Sequence, residues 1–228
     1  VNFDGILTTT YGGTNFIIHA AVGGEMDPAE FGLSGGWGGT RTTSALVEKF
    51  DDPSGETDKR AIFFTDGQTL EIEDISIFNE GYAIAKFKNV TSTGDPGSSL
   101  EFVDTDFPMF RLADVYLMYA EAVLRGGTGG TTGEALGYVN DLRDRAEADP
   151  VGSIDLEFIL NERARELYWE CHRRTDLIRF GKFTGGEYLW PWKGKVKEGI
   201  ATDSKYNLFP IPASDLTANP NLVQDTGY

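Results

Sequence analysis

Apolar residues recur in three different ways along this chain, and each spacing predicts a different kind of structure. From 108 onward the intervals are helical. In MFRLADVYLMYAEAVLR, which begins at Met109, apolar side chains cover most of a helical circumference, so this helix, opened by Pro108, is expected to be nearly buried. Its polar exceptions, Arg111, Asp114 and Glu121, fall on one side. In the next helix Ala135, Val139, Leu142 and Ala146 form an amphipathic stripe behind a capping box of Thr131 and Glu134. A short glycine-rich loop joins the two, which predicts an antiparallel helical hairpin. Asp155 caps a third, long helix that Gly181 ends, with Leu160, Ala164, Leu167 and Cys171 as its core stripe.

Between 61 and 88 the spacing is of β type. The runs AIFFT, TLEIEDISIF and YAIAKF are separated by the turn signals Asp66-Gly67 and Asn79-Glu80-Gly81, which predicts a small antiparallel meander. A change of parity at Glu73-Asp74 predicts a bulge. Residues 1 to 40 combine an apolar run, Phe16 to Ala21, read as an extended strand, with glycine-rich loops. Thr43 is expected to cap a short helix, Ser44 to Phe50, through its hydroxyl. Beyond Gly185 periodicity fades; Pro191, Pro210, Pro212 and Pro220 leave room for one helical turn at Ser214 to Ala218. A tail this apolar is expected to be pinned along the helical body. The fold class is therefore mainly α, with a minor β part: 1–107 rich in loops and strands, 108–183 helical, and 184–228 irregular, all within one domain.

Charge narrows the partners. A formal net charge of −16 argues against nucleic acid, whose phosphates need a basic surface, and lends no support to anionic lipid headgroups. It is compatible with a neutral ligand such as a sugar. The third helix carries carboxylates and guanidiniums at helical spacing: Glu162 and Glu166 are four apart, as are Glu170 and Arg174. Exposed pairs of that kind contribute about 0.3–0.5 kcal/mol each. Buried between helices, loss of one partner costs roughly 3–5 kcal/mol.

Catalytic and metal motifs are missing. The sequence has two histidines, His19 and His172, and no GxSxG, HExxH, CxxC or phosphate-binding glycine loop. His172 follows Cys171 directly, which on a helix sets the two side chains about 100° apart. Asp52, Ser54, Glu56 and Asp58 alternate like the start of a calcium loop, but the glycine is misplaced and no bidentate glutamate follows. No cofactor or metal is expected. Loop aromatics are the more informative chemistry: Trp37 in GGWGG, and Tyr188, Trp190 and Trp192 in EYLWPWKGK. An exposed ring face stacks on the apolar C–H face of a pyranose; a buried one plugs its own loop. On chemistry and loop position, Tyr11, Asn15, Trp37, Trp190 and Trp192 are the candidate ligand contacts.

Four ordered blocks then resemble the C-terminal part of the SusD/RagB family of outer-membrane glycan-binding lipoproteins. They are FRLADVYLMYAEAVLR at 110–125, EALGYVNDLRDRA at 134–146, NERARELYWECHRRTDLIRFGKF at 161–183, and the closing LFPIPASDLTANPNLVQDTGY. GWGGTRTTSALVEKF at 36–50 adds to the likeness. The resemblance implies a tetratricopeptide-like helix pair and no catalysis. It implies capture of an oligosaccharide at the cell surface for a SusC-like TonB-dependent transporter. Family members are about twice this length, so it also implies a missing N-terminal half that carries the lipid anchor and covers the helix pair. Arg163, Glu166, Glu170, Arg173 and Asp176 are then scaffold residues. The alternative is a protein-interaction scaffold or a peptide-binding subunit of a transporter complex.

Overall fold

In the computed structural model, which describes residues 14–228, the capping box forms as the sequence predicts. Glu134 donates its amide to the Thr131 hydroxyl at 3.2 Å while its carboxylate accepts the Thr131 amide at 2.9 Å. This opens helix α4, Thr132–Arg145. The preceding long helix, α3, spans Leu112–Leu124. The following one, α5, spans Leu156–Leu167 and is capped by the Asp155 carboxylate on the Phe158 amide at 2.7 Å. Helix α3 packs on both α4 and α5. The predicted stripe Ala135, Val139, Leu142 and Ala146 is buried, and Leu117, Ile159 and Leu167 pack opposite its first three residues. Tyr138 fastens the pair from the side, stacked on Tyr116 at 4.4 Å and edge-on to Tyr119 at 5.1 Å.

Helix α3 starts four residues later than Pro108 predicts, with Arg111 at its N-cap in an extended conformation. Nor is it nearly buried. Leu112, Val115 and Met118 are 62%, 50% and 47% exposed, and Phe110 just before them is 91% exposed. Among the described residues this helix has one packed and one open apolar face.

The loop-rich part departs further from the sequence pattern. Residues Asn15–His19 form helix α1, not a strand, and Ser44–Val47 form helix α2, at whose N-cap the Thr43 hydroxyl accepts no capping hydrogen bond. The predicted meander contracts to a two-residue antiparallel pair, β1 (Phe63–Phe64) with β2 (Ala83–Ile84). The middle run is a string of turns rather than a bulged strand. There the Glu80 carboxylate accepts the amides of Glu73 and Asp74, satisfying locally the groups a ladder would pair. Two small apolar cores hold these segments. One gathers Ile18, Val22, Met26, Phe31, Leu33, Ala83 and Val103; the other gathers Phe50, Ala61, Ile84 and Tyr168.

The third long helix is not continuous. It ends at Leu167, and Tyr168 turns to extended backbone while Trp169 and Cys171 take left-handed φ of 65° and 63°. Helix α6 then runs Arg173–Arg179. The break has identifiable causes. The Lys86 ammonium donates to the Glu166 and Tyr168 carbonyls at 3.0 and 2.8 Å, and Arg111 donates to the Glu166 carbonyl at 3.1 Å. Two cations thus satisfy carbonyls orphaned at the C-terminus, the end the helix dipole makes negative. The Tyr168 hydroxyl donates to the Arg60 carbonyl at 2.7 Å, and the Trp169 indole N–H donates to the Ile17 carbonyl at 3.0 Å. Past the break the stripe no longer faces the core, and Cys171 is exposed instead of buried.

Glu162, Glu166 and Glu170 are all buried, and each meets cations from distant segments. Glu162 pairs with Arg60 at 2.8 Å, Arg143 at 3.2 Å and Arg165 at 2.5 Å. Glu166 pairs with Arg111 at 2.9 Å, Arg145 at 2.7 Å and more loosely with Arg60. Glu170 pairs with Lys86 at 2.5 Å and Arg111 at 2.8 Å, in place of the Arg174 that a continuous helix would bring to it. Arg163 pairs with Asp114 at 2.8 Å, and Arg173 donates to the Leu160 carbonyl at 2.8 Å. Burial pushes the Glu162 carboxyl up, but the guanidiniums of Arg60 and Arg165 outweigh it and hold it below the usual range.

By its contacts the chain divides into two compact bodies, Val1–Arg173 and Arg174–Tyr228. In the second, Gly181 follows α6 with a left-handed φ of 68°, where the sequence places the stop. Asp176 is buried and paired with Arg179 at 2.8 Å. The single predicted turn appears as helix α7, Ala213–Ala218.

Replacing Glu162 by alanine leaves three guanidiniums short of a partner and should cost about 3–5 kcal/mol in urea unfolding. The Glu162 carboxyl is depressed in the folded state, so its contribution is complete above the unfolded value near ~4.3 and is lost as pH falls through the lower folded value. Thermal melts from pH 6 to 3 should show this loss, with a shallower slope in Glu162→Gln. Parallel slopes would remove Glu162 from the account.

Candidate functional site

Glycine makes the one exposed tryptophan loop of the first body rigid. After helix α1 the chain returns along itself, and the loop amides close onto the carbonyls at the end of α1. Trp37 donates to His19 at 2.8 Å, Gly38 to Val22 at 2.9 Å, and Gly39 and Thr40 to Ala20 at 2.9 and 2.7 Å. So close an approach excludes side chains. A Cβ on Gly36 would collide with the Val22 carbonyl, one on Gly23 would lie 2.6 Å from the Gly38 Cα, and Gly38 has φ of 56°. The GGWGG loop is therefore a zipper.

The zipper lays the Trp37 indole on the His19 imidazole, ring centres 5.3 Å apart and planes within 19°. His19 is itself fixed, with Nδ1 at 3.0 Å from the Gly35 carbonyl and Nε2 at 2.9 Å from the Glu101 carbonyl. Phe16 stands beside the indole, centres 6.4 Å apart and tilted by 57°. Trp37 and Phe16 keep 43% and 55% of their surface exposed. The result is a shallow aromatic ledge on a clamped backbone. Phe16 is a member that sequence reading missed, because the strand expected there would have made it one apolar residue of a run.

Asn15 belongs to the support beneath this ledge. It is buried, its Oδ1 accepts the Val103 amide at 2.8 Å, and its Nδ2 donates to the Glu101 carbonyl at 3.4 Å. Both ends of the amide thus pin the 101–103 segment against α1. Tyr11 lies outside the described residues.

In the second body, Trp190 and Trp192 are half-buried in the loop 184–200. Phe183 stacks on Trp190 at 5.9 Å, and the Lys193 ammonium sits 4.5 Å from its ring centre. That ammonium is buried, donates to the Gly185 and Tyr188 carbonyls at 2.8 and 2.7 Å, and has its pKa lowered by desolvation. Trp190 therefore has one face taken by Phe183 and a cation nearby, the arrangement of a plug. Arg174 stacks on Phe209 at 4.0 Å and on Phe183 at 4.9 Å.

The acidic turn at 52–58 is closed by its own backbone. Asp52 accepts the amides of Ser54 at 2.9 Å and Thr57 at 3.2 Å; the Ser54 hydroxyl foremost, then these amides, lower its pKa to about 2, and Asp58 pairs with Arg60 at 2.7 Å. Among the described residues no group of three or more His, Cys, Asp or Glu side chains is placed to hold a metal ion.

The model of the SusD family matches residues 37–228. The starch-binding protein SusD of Bacteroides thetaiotaomicron is 33% identical over 269 residues, an alignment that takes in 99% of this chain and 48% of that protein. A SusD-like protein of Bacteroides ovatus is 29% identical over 156 residues, covering 64% of this chain and 29% of the relative. This chain thus spans about half the length, or less, of these curated relatives. Surface glycan-binding protein A of Bacteroides thetaiotaomicron shares the fold, with a TM-score of 0.65 at 23% identity over 92% of this chain and 46% of that one. A structure of the same name and organism in complex with laminarihexaose gives a TM-score of 0.61 at 24% identity, over 85% of this chain and 42% of that one.

Replacing Gly36 by alanine should force the loop off the Val22 carbonyl at a cost of roughly 1–3 kcal/mol, the range of an overpacked site. The upfield ring-current shift that Trp37 imposes on the His19 ring protons should disappear from the NMR spectrum. Its persistence would show that the indole is held by something other than the zipper.

Proposed function

Since the chain belongs to the SusD family, we propose that it takes part in non-catalytic capture of oligosaccharides at the cell surface. The observation that carries this reading is the Trp37–Phe16 ledge: exposed aromatic surface on a backbone too tightly hydrogen-bonded to rearrange. An indole face covers the C–H face of a pyranose, and because the loop is already ordered, little conformational entropy is lost on binding. A starch-binding relative and a neighbouring structure named for its laminarihexaose complex support a saccharide as the ligand class. Trp37 is the platform, Phe16 its edge and Asn15 the support that fixes the rim. Tyr11 remains a candidate contact on chemistry alone. Trp190 is a weaker candidate because its surroundings in the second body are those of a plug, and Trp192, half-buried in the same loop, is a candidate on chemistry and loop position.

On this reading the captured glycan is delivered to a SusC-like TonB-dependent transporter in the outer membrane. On the same reading, a lipid anchor and further helix pairs lie in a further half, in keeping with relatives about twice the length of this chain. A second reading, a protein-interaction scaffold, is favoured by the open apolar face of α3 at Phe110, Leu112, Val115 and Met118.

The two readings separate in one experiment. The affinity for neutral oligosaccharides, read by tryptophan fluorescence across a panel, should fall by about 5- to 150-fold in Trp37→Ala, since one stacked ring contributes on the order of 1–3 kcal/mol as in base stacking. Val115→Asp on α3 should leave that response unchanged. Saccharide binding that survives Trp37→Ala, with partner binding lost in Val115→Asp, would favour the scaffold.

A further inference from the structure

We propose that the cavity beside the glutamate ladder is an oxyanion site that takes a carboxylate or sulfate group. The cavity, ≈280 Å³, lies in the first body and is lined by Lys59, Arg60, Lys86, Arg111, Arg145 and Arg165, with Glu166 as its one acidic residue and Tyr168 as its aromatic wall. In a chain of net charge −16, six cationic side chains around one opening are a local inversion of sign.

The ion pairs do not absorb that charge. The ladder and its neighbour supply four carboxylates, Asp58, Glu162, Glu166 and Glu170. Facing them are Arg60, Lys86, Arg111, Arg143, Arg145 and Arg165, and Lys59 raises the cations to seven, an excess of three. The excess sits at identifiable atoms. The Lys59 ammonium donates only to the Gly55 and Glu56 carbonyls, at 3.1 and 3.4 Å, with no carboxylate partner among the described residues. Arg145 uses Nη2 alone, on the Glu166 carboxylate at 2.7 Å, which leaves Nε and Nη1 as donors. Its side chain is 55% exposed, and that of Arg111 26%, so both stand at the mouth.

Local structure places Lys59 and Arg145 on the wall of the same cavity. The Lys59 amide donates to the Ala146 carbonyl at 2.8 Å, which fastens the 59–61 segment to the end of α4 one residue after Arg145. Deeper in, Arg60 and Lys86 are fixed by their own ion pairs, so their field is pre-oriented. Desolvation, which Glu170 does not fully offset, lowers the Lys86 pKa, with the neighbouring Arg111 charge acting in the same direction. A forked guanidinium edge and an ammonium lining one cavity suit a carboxylate or sulfate, and the buried charges behind raise its affinity above that of a surface pair. The chemistry fits the acidic substituent of a sugar, a uronate or sulfate ester, and equally a free oxyanion. None of the ledge residues lines this cavity, so the assignment goes beyond the ledge and stands without it.

Isothermal titration of the full chain at low ionic strength, with sodium sulfate, methyl β-D-glucuronide and methyl β-D-glucoside, tests it. Sulfate and glucuronide should bind at one site each and compete, while the neutral glucoside does not displace them. Tighter binding of the glucuronide would identify the acidic sugar as the source; equal or weaker binding would identify the free anion. The double change Lys59→Gln with Arg145→Gln should weaken binding at least about ten-fold, and the single change Lys59→Gln, which breaks no ion pair, should weaken it with the melting temperature nearly unchanged. Arg145→Lys, which keeps the charge and removes the fork, should fall between. Trp37→Ala should leave anion binding intact, so a failed ledge does not count against this site. Absence of saturable binding by both anions, or binding indifferent to the double change, overturns the proposal.

Discussion

The structure of the first body depends on three glutamates placed where solvent cannot reach them. Glu162, Glu166 and Glu170 project from one helix and its broken end into the interior, where bare carboxylates would be untenable. They are tolerated because cations converge from residues 60, 86, 111, 143, 145 and 165. These cations come from several separate stretches of chain, with Arg143 and Arg145 sharing the last turn of α4. The ladder is therefore a device for register: no element can slide without leaving a buried charge unpaired. Its specificity is stronger than its net contribution to stability, since removal of both partners of a buried pair is often close to neutral while removal of one is not.

The same charges explain why the third helix stops where it does. Lys86 and Arg111 reach the last carbonyls of α5 and the Glu170 carboxylate at once. The chain beyond Leu167 gains more from these contacts, and from the Tyr168 and Trp169 hydrogen bonds, than from another helical turn. Two non-glycine residues take left-handed backbone as a consequence. The break also turns Cys171 out of the core, and it replaces the simple Glu170–Arg174 pair by a cross-chain one.

Site and scaffold occupy different parts of the sequence for a physical reason. The ladder needs long, rigid, mutually packed elements, and it uses α3, α4 and α5. The aromatic ledge needs an exposed ring on backbone that does not yield. A five-residue helix and a glycine zipper provide that, with His19 and Asn15 tying the neighbouring segment beneath it. The excess of cations beside the ladder is where the two demands meet, because the scaffold carries more positive charge than its own carboxylates neutralise.

By itself the sequence determined what local chemistry decides. Helical spacing placed α4 and its buried stripe, the Thr131–Glu134 and Asp155 caps followed from residue type, and Gly181 ended α6, because each depends on neighbours within one or two turns. Trp37 was legible as a loop aromatic for the same reason. Tertiary structure decided the rest. The partners of Glu162, Glu166 and Glu170 lie as far as about a hundred residues away, so no periodicity could name them. The strand expected at Phe16 to Ala21 became a helix whose Ile18 enters a small local core, and the strand run expected at 69–78 became turns because the Glu80 carboxylate satisfies the amides of Glu73 and Asp74. Whether GGWGG is flexible or locked depends on carbonyls at Val22 and Ala20 that lie in a different segment, and only the folded chain brings them within hydrogen-bonding distance.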